Sequence, residues 1–153
     1  MQPLEGAAEE GGERVGRARA AGCWLLGADG ALSDEERQLL PAEPARVVAR
    51  LGATEWDVDE AIRPALLALC ARYLTAADGG RVADPVANFH LSNGASVERI
   101  DWLADPTPTG RHRSFGVMAN YLYEADRISE RAEAYATRGE VTMSAAVRDL
   151  LTA

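Results

Sequence analysis

The chain has 153 residues, enough for one domain, and an apolar content of 47% that allows a hydrophobic core. Its formal net charge of −8 argues against nucleic acid as a partner, and no apolar run reaches the length that a membrane-spanning helix needs. Cys23 and Cys70 are too few and too far apart for a disulfide framework or a zinc site, so the sequence predicts a reduced, cytoplasmic protein without a metal.

The first half of the chain is predicted to be helical after a disordered start. Residues 1–21 are rich in Gly, Ala, Glu and Arg and offer little to bury, which is typical of disorder. Helices are then expected in several pieces over 34–76, the first of them opened by a capping box at Ser33. The longest piece covers about 62–76, where apolar side chains recur at helical spacing, and the segment Asp78-Gly79-Gly80 ends it.

The middle of the chain is predicted to form one β-hairpin over 86–104. Side chains alternate between apolar and polar over 87–92, and Asn93-Gly94 is the strongest short signal for a two-residue turn. Strand pairing across this turn would gather polar side chains on one face and large apolar ones on the other. The polar set is Asn88, His90, Arg99 and Asp101, and the apolar set is Ala87, Phe89, Leu91, Ile100 and Trp102.

Helices are predicted again over 114–151, after a basic cluster at 111–113 that could meet an anion or lie in a solvated loop. Ser114 is suited to cap a helix that continues to about 137, Gly139 breaks it, and a last helix covers about 142–151. The predicted fold class is therefore α+β, mostly helical with one β-hairpin. Because a lone hairpin is marginally stable, its apolar face indicates that the chain is part of a larger domain.

Three segments of the chain resemble the C-terminal part of malonyl-CoA decarboxylase. They are residues 84–95 (DPVANFHLSNGA), 101–105 (DWLAD) and 114–123 (SFGVMANYLY). The resemblance extends more loosely over residues 22–153, which it implies to be the C-terminal portion of a catalytic domain of GNAT-like fold. It also implies that the hairpin supplies the last two strands of that domain and that the earlier strands lie upstream of residue 1.

The resemblance implies a reaction in which malonyl-CoA gives acetyl-CoA and CO2 without a metal or organic cofactor. Such a site must hold the carboxylate that leaves, stabilise an enolate and deliver a proton to the α-carbon. His90 matches the family's histidine in the NFHL stretch, which works with a serine from an earlier loop, and that serine has no match in this chain. Tyr123 matches a family tyrosine placed near the substrate.

The residues themselves leave several alternatives open. His90 could be a catalytic group or a histidine hydrogen-bonded on the polar face of a sheet, where Ser92 could be its partner. Tyr123 could donate to a carboxylate or pack on the hairpin, and Asn120, one helical turn earlier, could orient it. Asn88 could hydrogen-bond His90 or Arg99, or be a plain sheet-face amide. Tyr123, Asn120 and Asn88 are therefore the candidate substrate-binding residues.

Two functions stay open at this point. The first is a malonyl-CoA decarboxylase-like enzyme, with malonyl-CoA and acetyl-CoA as substrate and product, that is incomplete and needs a companion chain carrying the upstream half. The second is a non-enzymatic remnant or interaction module that docks on such a companion through its apolar hairpin face. A homo-oligomer is compatible with either function. Acyl transfer to an amine, suggested by analogy of fold alone, ranks last.

Overall fold

The structure is a computed structural model and describes residues 34–40, 46, 62–109 and 116–152. The predicted disordered segment 1–21, the basic cluster at 111–113 and Ser114 lie outside these residues. The described helices and strands, in chain order, are α1 (Asp34–Gln38), α2 (Ile62–Thr75), β1 (Ala77–Asp78), β2 (Arg81–Val82), α3 (Pro85–Ser92), β3 (Ser96–Asp101), β4 (Met118–Leu122), α4 (Ile128–Arg138) and α5 (Ala145–Leu151).

The predicted α+β class is confirmed, and the strands form two small antiparallel sheets, β1–β2 and β3–β4. The first sheet is a tight hairpin in which Asp78 pairs with Arg81. Gly79 and Gly80 fill its two-residue turn at φ 61° and 82°, and such positive φ values are what a twisted hairpin turn requires. The sequence analysis had taken this glycine pair only as the end of the preceding helix.

The strand predicted over 86–91 is wrong, because these residues lie in helix α3. The carboxylate of Asp84 accepts a hydrogen bond of 2.8 Å from the Ala87 N–H, and Pro85 stands at the first helical position, where a missing N–H costs nothing. Asn93 has φ −91° and caps the C-terminus of the helix instead of opening a hairpin turn. A short alternating pattern also fits a helix, since it places Ala87 and Leu91 four residues apart on one buried face.

The pairing partner of β3 is β4, so the predicted hairpin over 86–104 is wrong, although its second strand is present as β3. The helix predicted from Ser114 to about 137 is wrong over 118–122, which form β4, and is present from Ile128 onwards as α4. Ser96 pairs with Leu122 and Asp101 with Met118, with a bulge at Glu98. The sequence MANYL alternates in exposure as a strand does. Consequently, Asn88 and His90 do not share a sheet face with Arg99 and Asp101, which form an ion pair of 2.7 Å on β3.

The predicted helix break at Gly139 is confirmed. Gly139 adopts φ 63° and donates its N–H to the Tyr135 carbonyl at 3.0 Å, the left-handed C-cap for which glycine is suited. The last helix begins later than predicted, because Ser144 has extended backbone and its hydroxyl caps the Val147 N–H at 3.2 Å.

The chain divides into two compact units. Described residues 34–40, 46, 62–65, 103–109 and 116–117 belong to the first unit, where Ile62, Ala65 and Val117 are buried. Residues 66–102 and 118–152 belong to the second, whose large fully buried side chains are Leu66, Leu91, Val97 and Val147. Val97 holds the second unit together through its backbone as well, donating to the Thr142 carbonyl and accepting from the Ser144 N–H.

Replacing Asp84 by Ala is expected to lower the free energy of unfolding by about 1 kcal/mol, because the N-cap of α3 loses its only side-chain acceptor. Asp84→Asn retains an acceptor oxygen and should retain most of the stability. Urea unfolding followed by circular dichroism measures both variants, and Ser144→Ala, which removes the equivalent cap of α5, is the matched control. Equal stability of Asp84→Ala and the wild type would contradict the capping role.

Candidate functional site

Helix α3 and strand β4 bring three conspicuous side chains together. His90 lies in the last turn of α3, and Tyr121 and Tyr123 lie on and just beyond β4. Because side chains two residues apart in a strand point to the same face, both tyrosines turn towards the helix. The result is an imidazole placed between two phenol rings that are far from it in the sequence.

The contacts of the imidazole are well defined. Its Nδ1 lies 2.7 Å from the Tyr123 hydroxyl oxygen, and its ring stacks on Tyr121 with centroids 4.2 Å apart and planes 19° apart. Phe89 meets it edge to face at 5.3 Å. Either the phenol donates to Nδ1 or Nδ1–H donates to the phenol oxygen, and the tautomer of the ring decides between them. In both cases Nε2 is the nitrogen left for other chemistry.

Exposure differs among these rings. Tyr123 is 42% exposed and Phe89 is 61% exposed, whereas His90 and Tyr121 are half-buried. Burial raises the pKa of the Tyr121 phenol well above its usual range, and the charge of Asp84 raises it further. Tyr121 is therefore a neutral ring at physiological pH, and Tyr123 is the phenol of the pair that solvent or a ligand can reach.

The hydrogen bonds described for the Asn88 side chain are with Tyr135 and Arg81 and not with His90. Its side-chain oxygen accepts a bond of 2.6 Å from the Tyr135 hydroxyl and a longer one of 3.5 Å from Arg81. The Tyr135 oxygen in turn accepts from the Val82 N–H at 2.9 Å. These bonds tie α3 to β2 and α4, so the described contacts give Asn88 a structural role, and contact with a substrate stays a prediction.

Asn120 is turned away from the tyrosines. It donates to the Asp101 carboxylate on β3, and the alternation of a strand places it on the face opposite Tyr121 and Tyr123. The expectation that Asn120 orients Tyr123 from one helical turn away is wrong, because this segment is a strand. Its contact with a substrate stays a prediction.

The structure does not place Ser92 beside His90 on a shared face. Two residues along a helix correspond to about 200° of rotation, and Ser92 is exposed at the end of α3. Tyr121 was missed by the sequence analysis. The signal that could have found it is the spacing Tyr121-Leu122-Tyr123, which puts two aromatic rings on one face of a strand.

Among the described residues, no group of three or more His, Cys, Asp or Glu side chains could hold a metal ion. The same part of the chain contains no helix that is both long enough and apolar enough to cross a membrane.

Cys70 is a free cysteine whose thiol has its pKa raised by burial to about 12. Below about pH 9 the thiol is protonated in both the folded and the unfolded state, so it adds no pH dependence. Between about pH 9 and 12 only the unfolded state loses the proton, and stability should fall by at most about 1.4 kcal/mol per pH unit. Urea unfolding at several alkaline pH values should show a smaller slope for Cys70→Ala than for the wild type. Identical slopes would contradict the buried thiol.

Comparison with known proteins agrees with the resemblance. The family model described as malonyl-CoA decarboxylase C-terminal domain matches residues 24–153. The chain belongs to the malonyl-CoA decarboxylase family. Curated relatives include the mitochondrial malonyl-CoA decarboxylase of Anser anser anser, 40% identical over 87 residues, which are 54% of this chain and 17% of the relative. The mitochondrial enzyme of Rattus norvegicus is 39% identical over 90 residues, 56% of this chain and 18% of the relative.

Solved structures of the family resemble the fold as well. Malonyl-CoA decarboxylase from Cupriavidus metallidurans is 36% identical with a TM-score of 0.66, over 86% of this chain and 36% of that protein. The enzyme from Rhodopseudomonas palustris is 40% identical with a TM-score of 0.64, over 76% of this chain and 29% of that protein. The chain thus spans less than a fifth of these curated relatives and about a third of these solved structures.

Proposed function

We propose that the chain supplies the proton-donating half of a malonyl-CoA decarboxylase site, with His90 as the catalytic residue and Tyr123 as its partner at the substrate. The observation that carries the proposal is the 2.7 Å contact between Nδ1 of His90 and the Tyr123 hydroxyl, in a member of this family. One side of the pair, Tyr123, is 42% exposed and therefore open to a ligand.

The chemistry follows from the reaction. The bond between the carboxylate carbon and the α-carbon of malonyl-CoA breaks, CO2 leaves, and the electron pair moves into an enolate of the thioester. A proton must then reach the α-carbon to give acetyl-CoA. A histidine can carry that proton on Nε2 near neutral pH, and the Tyr123 hydroxyl at Nδ1 holds the ring and supplies a hydrogen bond as charge moves.

The remaining parts of the site are proposed to lie outside residues 1–153, in another segment of the same polypeptide or in a companion chain. The family's serine partner has no match in this chain, and the chain spans only 36% of the Cupriavidus metallidurans structure. Residues 22–153 are then the C-terminal portion of a catalytic domain, working in the cytoplasm on malonyl-CoA without a metal or organic cofactor. That segment or companion would carry the serine and the groups that bind the CoA phosphates.

A second candidate is an interaction module without turnover. Large apolar side chains stay exposed on α3 and β4, with Phe89 at 61% and Met118 at 50% exposure, and such side chains favour docking on another protein. In this case the companion chain would be bound but no site would be completed.

CO2 release from [14C]malonyl-CoA distinguishes these proposals. The purified chain is assayed alone and together with the N-terminal part of the Cupriavidus metallidurans relative that it does not span. Turnover is expected only when both polypeptides are present. Robust turnover by the chain alone would contradict the proposal that residues outside 1–153 complete the site. Association of the two polypeptides without turnover would contradict the decarboxylase and favour the interaction module.

A further inference from the structure

Tyr121 stacks on His90, the proposed catalytic histidine, but has no role in the proton transfer proposed above. Its ring lies 4.2 Å from the His90 imidazole, at 19° to it. We propose that Tyr121 is a positioning residue, whose ring fixes the plane of the imidazole so that Nε2 faces the α-carbon of the substrate. This inference rests on the proposed function for its catalytic consequence, but the geometry it asserts can be measured without turnover.

A single hydrogen bond leaves the imidazole too free for directed proton transfer. The contact with Tyr123 fixes Nδ1 only, and the ring can still tilt about the line from Nδ1 to the phenol oxygen. The last torsion of a histidine side chain has a broad energy well, so the side chain itself does not choose a plane. A stacked ring acts at right angles to the hydrogen bond, and the two contacts together define one orientation.

Tyr121 is itself firmly held, as a positioning residue must be. It lies on β4 opposite Val97, which is fully buried and bonded on both sides of its peptide. An offset stack of two rings is one of the arrangements that aromatic pairs favour. Since Tyr121 contacts His90 with the face of its ring and not with its hydroxyl, a phenylalanine at this position should hold the imidazole in the same plane.

Together, the contacts with Tyr123 and Tyr121 fix the direction in which a proton can leave the imidazole. With Nδ1 at Tyr123 and one face of the ring covered by Tyr121, a proton can leave only from Nε2, along a line set by the ring plane. A misplacement of about 1 Å in such a group lowers turnover by up to about 10²-fold. Loss of the Tyr121 ring should therefore lower kcat by about 10- to 100-fold, with KM for malonyl-CoA nearly unchanged because the proposal gives Tyr121 no contact with the substrate.

The geometric test is an NMR experiment on the chain as it is. The sequence has two histidines, so His112→Gln leaves His90 as the only imidazole signal in a 13C-histidine-labelled sample. Ring-current shielding should move the His90 ring protons upfield in the wild type and in Tyr121→Phe. Most of this shift should be lost in Tyr121→Leu and Tyr121→Ile, where only the edge contacts with Phe89 and Tyr123 remain. Unshifted protons in the wild type, or shifts of undiminished size in both aliphatic variants, would overturn the proposal. If neither aliphatic variant folds, the shifts in the wild type and in Tyr121→Phe still show whether an aromatic ring at position 121 shields His90.

The kinetic test uses the same variants with the N-terminal part of the relative present. Tyr121→Leu should lose kcat at constant KM, and Tyr121→Phe should restore most of the loss. Equal losses in Phe and Leu would mean that the hydroxyl matters and would overturn the positioning role. Absence of turnover in the wild type would instead contradict the proposed function, while the NMR shifts would continue to report on the stack.

Discussion

His90→Gln should lower kcat for CO2 release by about 10²- to 10⁴-fold, the range that a positioned proton donor contributes. Glutamine keeps a polar group of similar reach but cannot carry a proton to the α-carbon near neutral pH. Tyr123→Phe, which removes the hydroxyl at Nδ1 but keeps the ring, should lose less, about 10-fold, as expected for one hydrogen bond to a group whose charge changes during proton transfer. Both are measured in the assay that contains the N-terminal part of the relative.

Ser92→Ala is the matched control for these two variants. Ser92 is exposed at the end of the same helix and should leave turnover unchanged. Wild-type turnover in His90→Gln would remove the histidine from the mechanism. A large loss in Ser92→Ala would mean that this serine, and not one from a companion polypeptide, is the partner of His90.

Gly94→Ala should lower the free energy of unfolding by about 3 kcal/mol, a large effect for the addition of one carbon atom. Gly94 has φ 87°, and a Cβ there would lie 2.8 Å from two backbone atoms of Ile128, which cannot move aside as a flexible side chain can. Gly94 lies just after the end of α3 and packs against Ile128 at the start of α4. Strain at this position therefore acts on the helix that carries His90.

Gly79→Ala separates the two causes of this loss, which are the backbone strain at positive φ and the steric clash with Ile128. Gly79 also has positive φ, at 61°, but nothing lies within 4 Å of its would-be Cβ. Gly79→Ala should lower the free energy of unfolding only by the cost of placing an alanine at positive φ, about 1 to 2 kcal/mol. Urea unfolding of both variants measures the difference, and equal losses would show that the contact with Ile128 contributes nothing.

Local signals predicted part of the fold well. The helix over 62–75 and the glycine stop at Gly139 follow from spacing and capping, which act within a few residues. The failure at 86–91 arose because two local signals compete there. Asp84-Pro85 opens a helix and Asn93-Gly94 opens a hairpin, and six residues are too few for their periodicity to decide. The buried contact of Ala87 and Leu91 with the rest of the unit favours the helix.

The candidate site was predictable only in part. His90 and Tyr123 came from the resemblance, and the structure places them in contact across 33 positions of sequence. That contact requires the β3–β4 pairing, which no local signal encodes because its two strands are separated by a long connection. Tyr121 was missed because its segment was predicted as a helix, and the spacing that puts it beside Tyr123 matters only on a strand.

A chimera puts the role of this chain in the reaction to the most direct test. The C-terminal part of the Cupriavidus metallidurans enzyme is replaced by residues 24–153 of this chain, and CO2 release from malonyl-CoA is measured with and without His90→Gln. The chimera should decarboxylate malonyl-CoA, and His90→Gln should lower the activity by about 10²- to 10⁴-fold while acetyl-CoA still binds. A folded chimera that binds acetyl-CoA but releases no CO2, or one that works equally well without His90, would contradict the assignment.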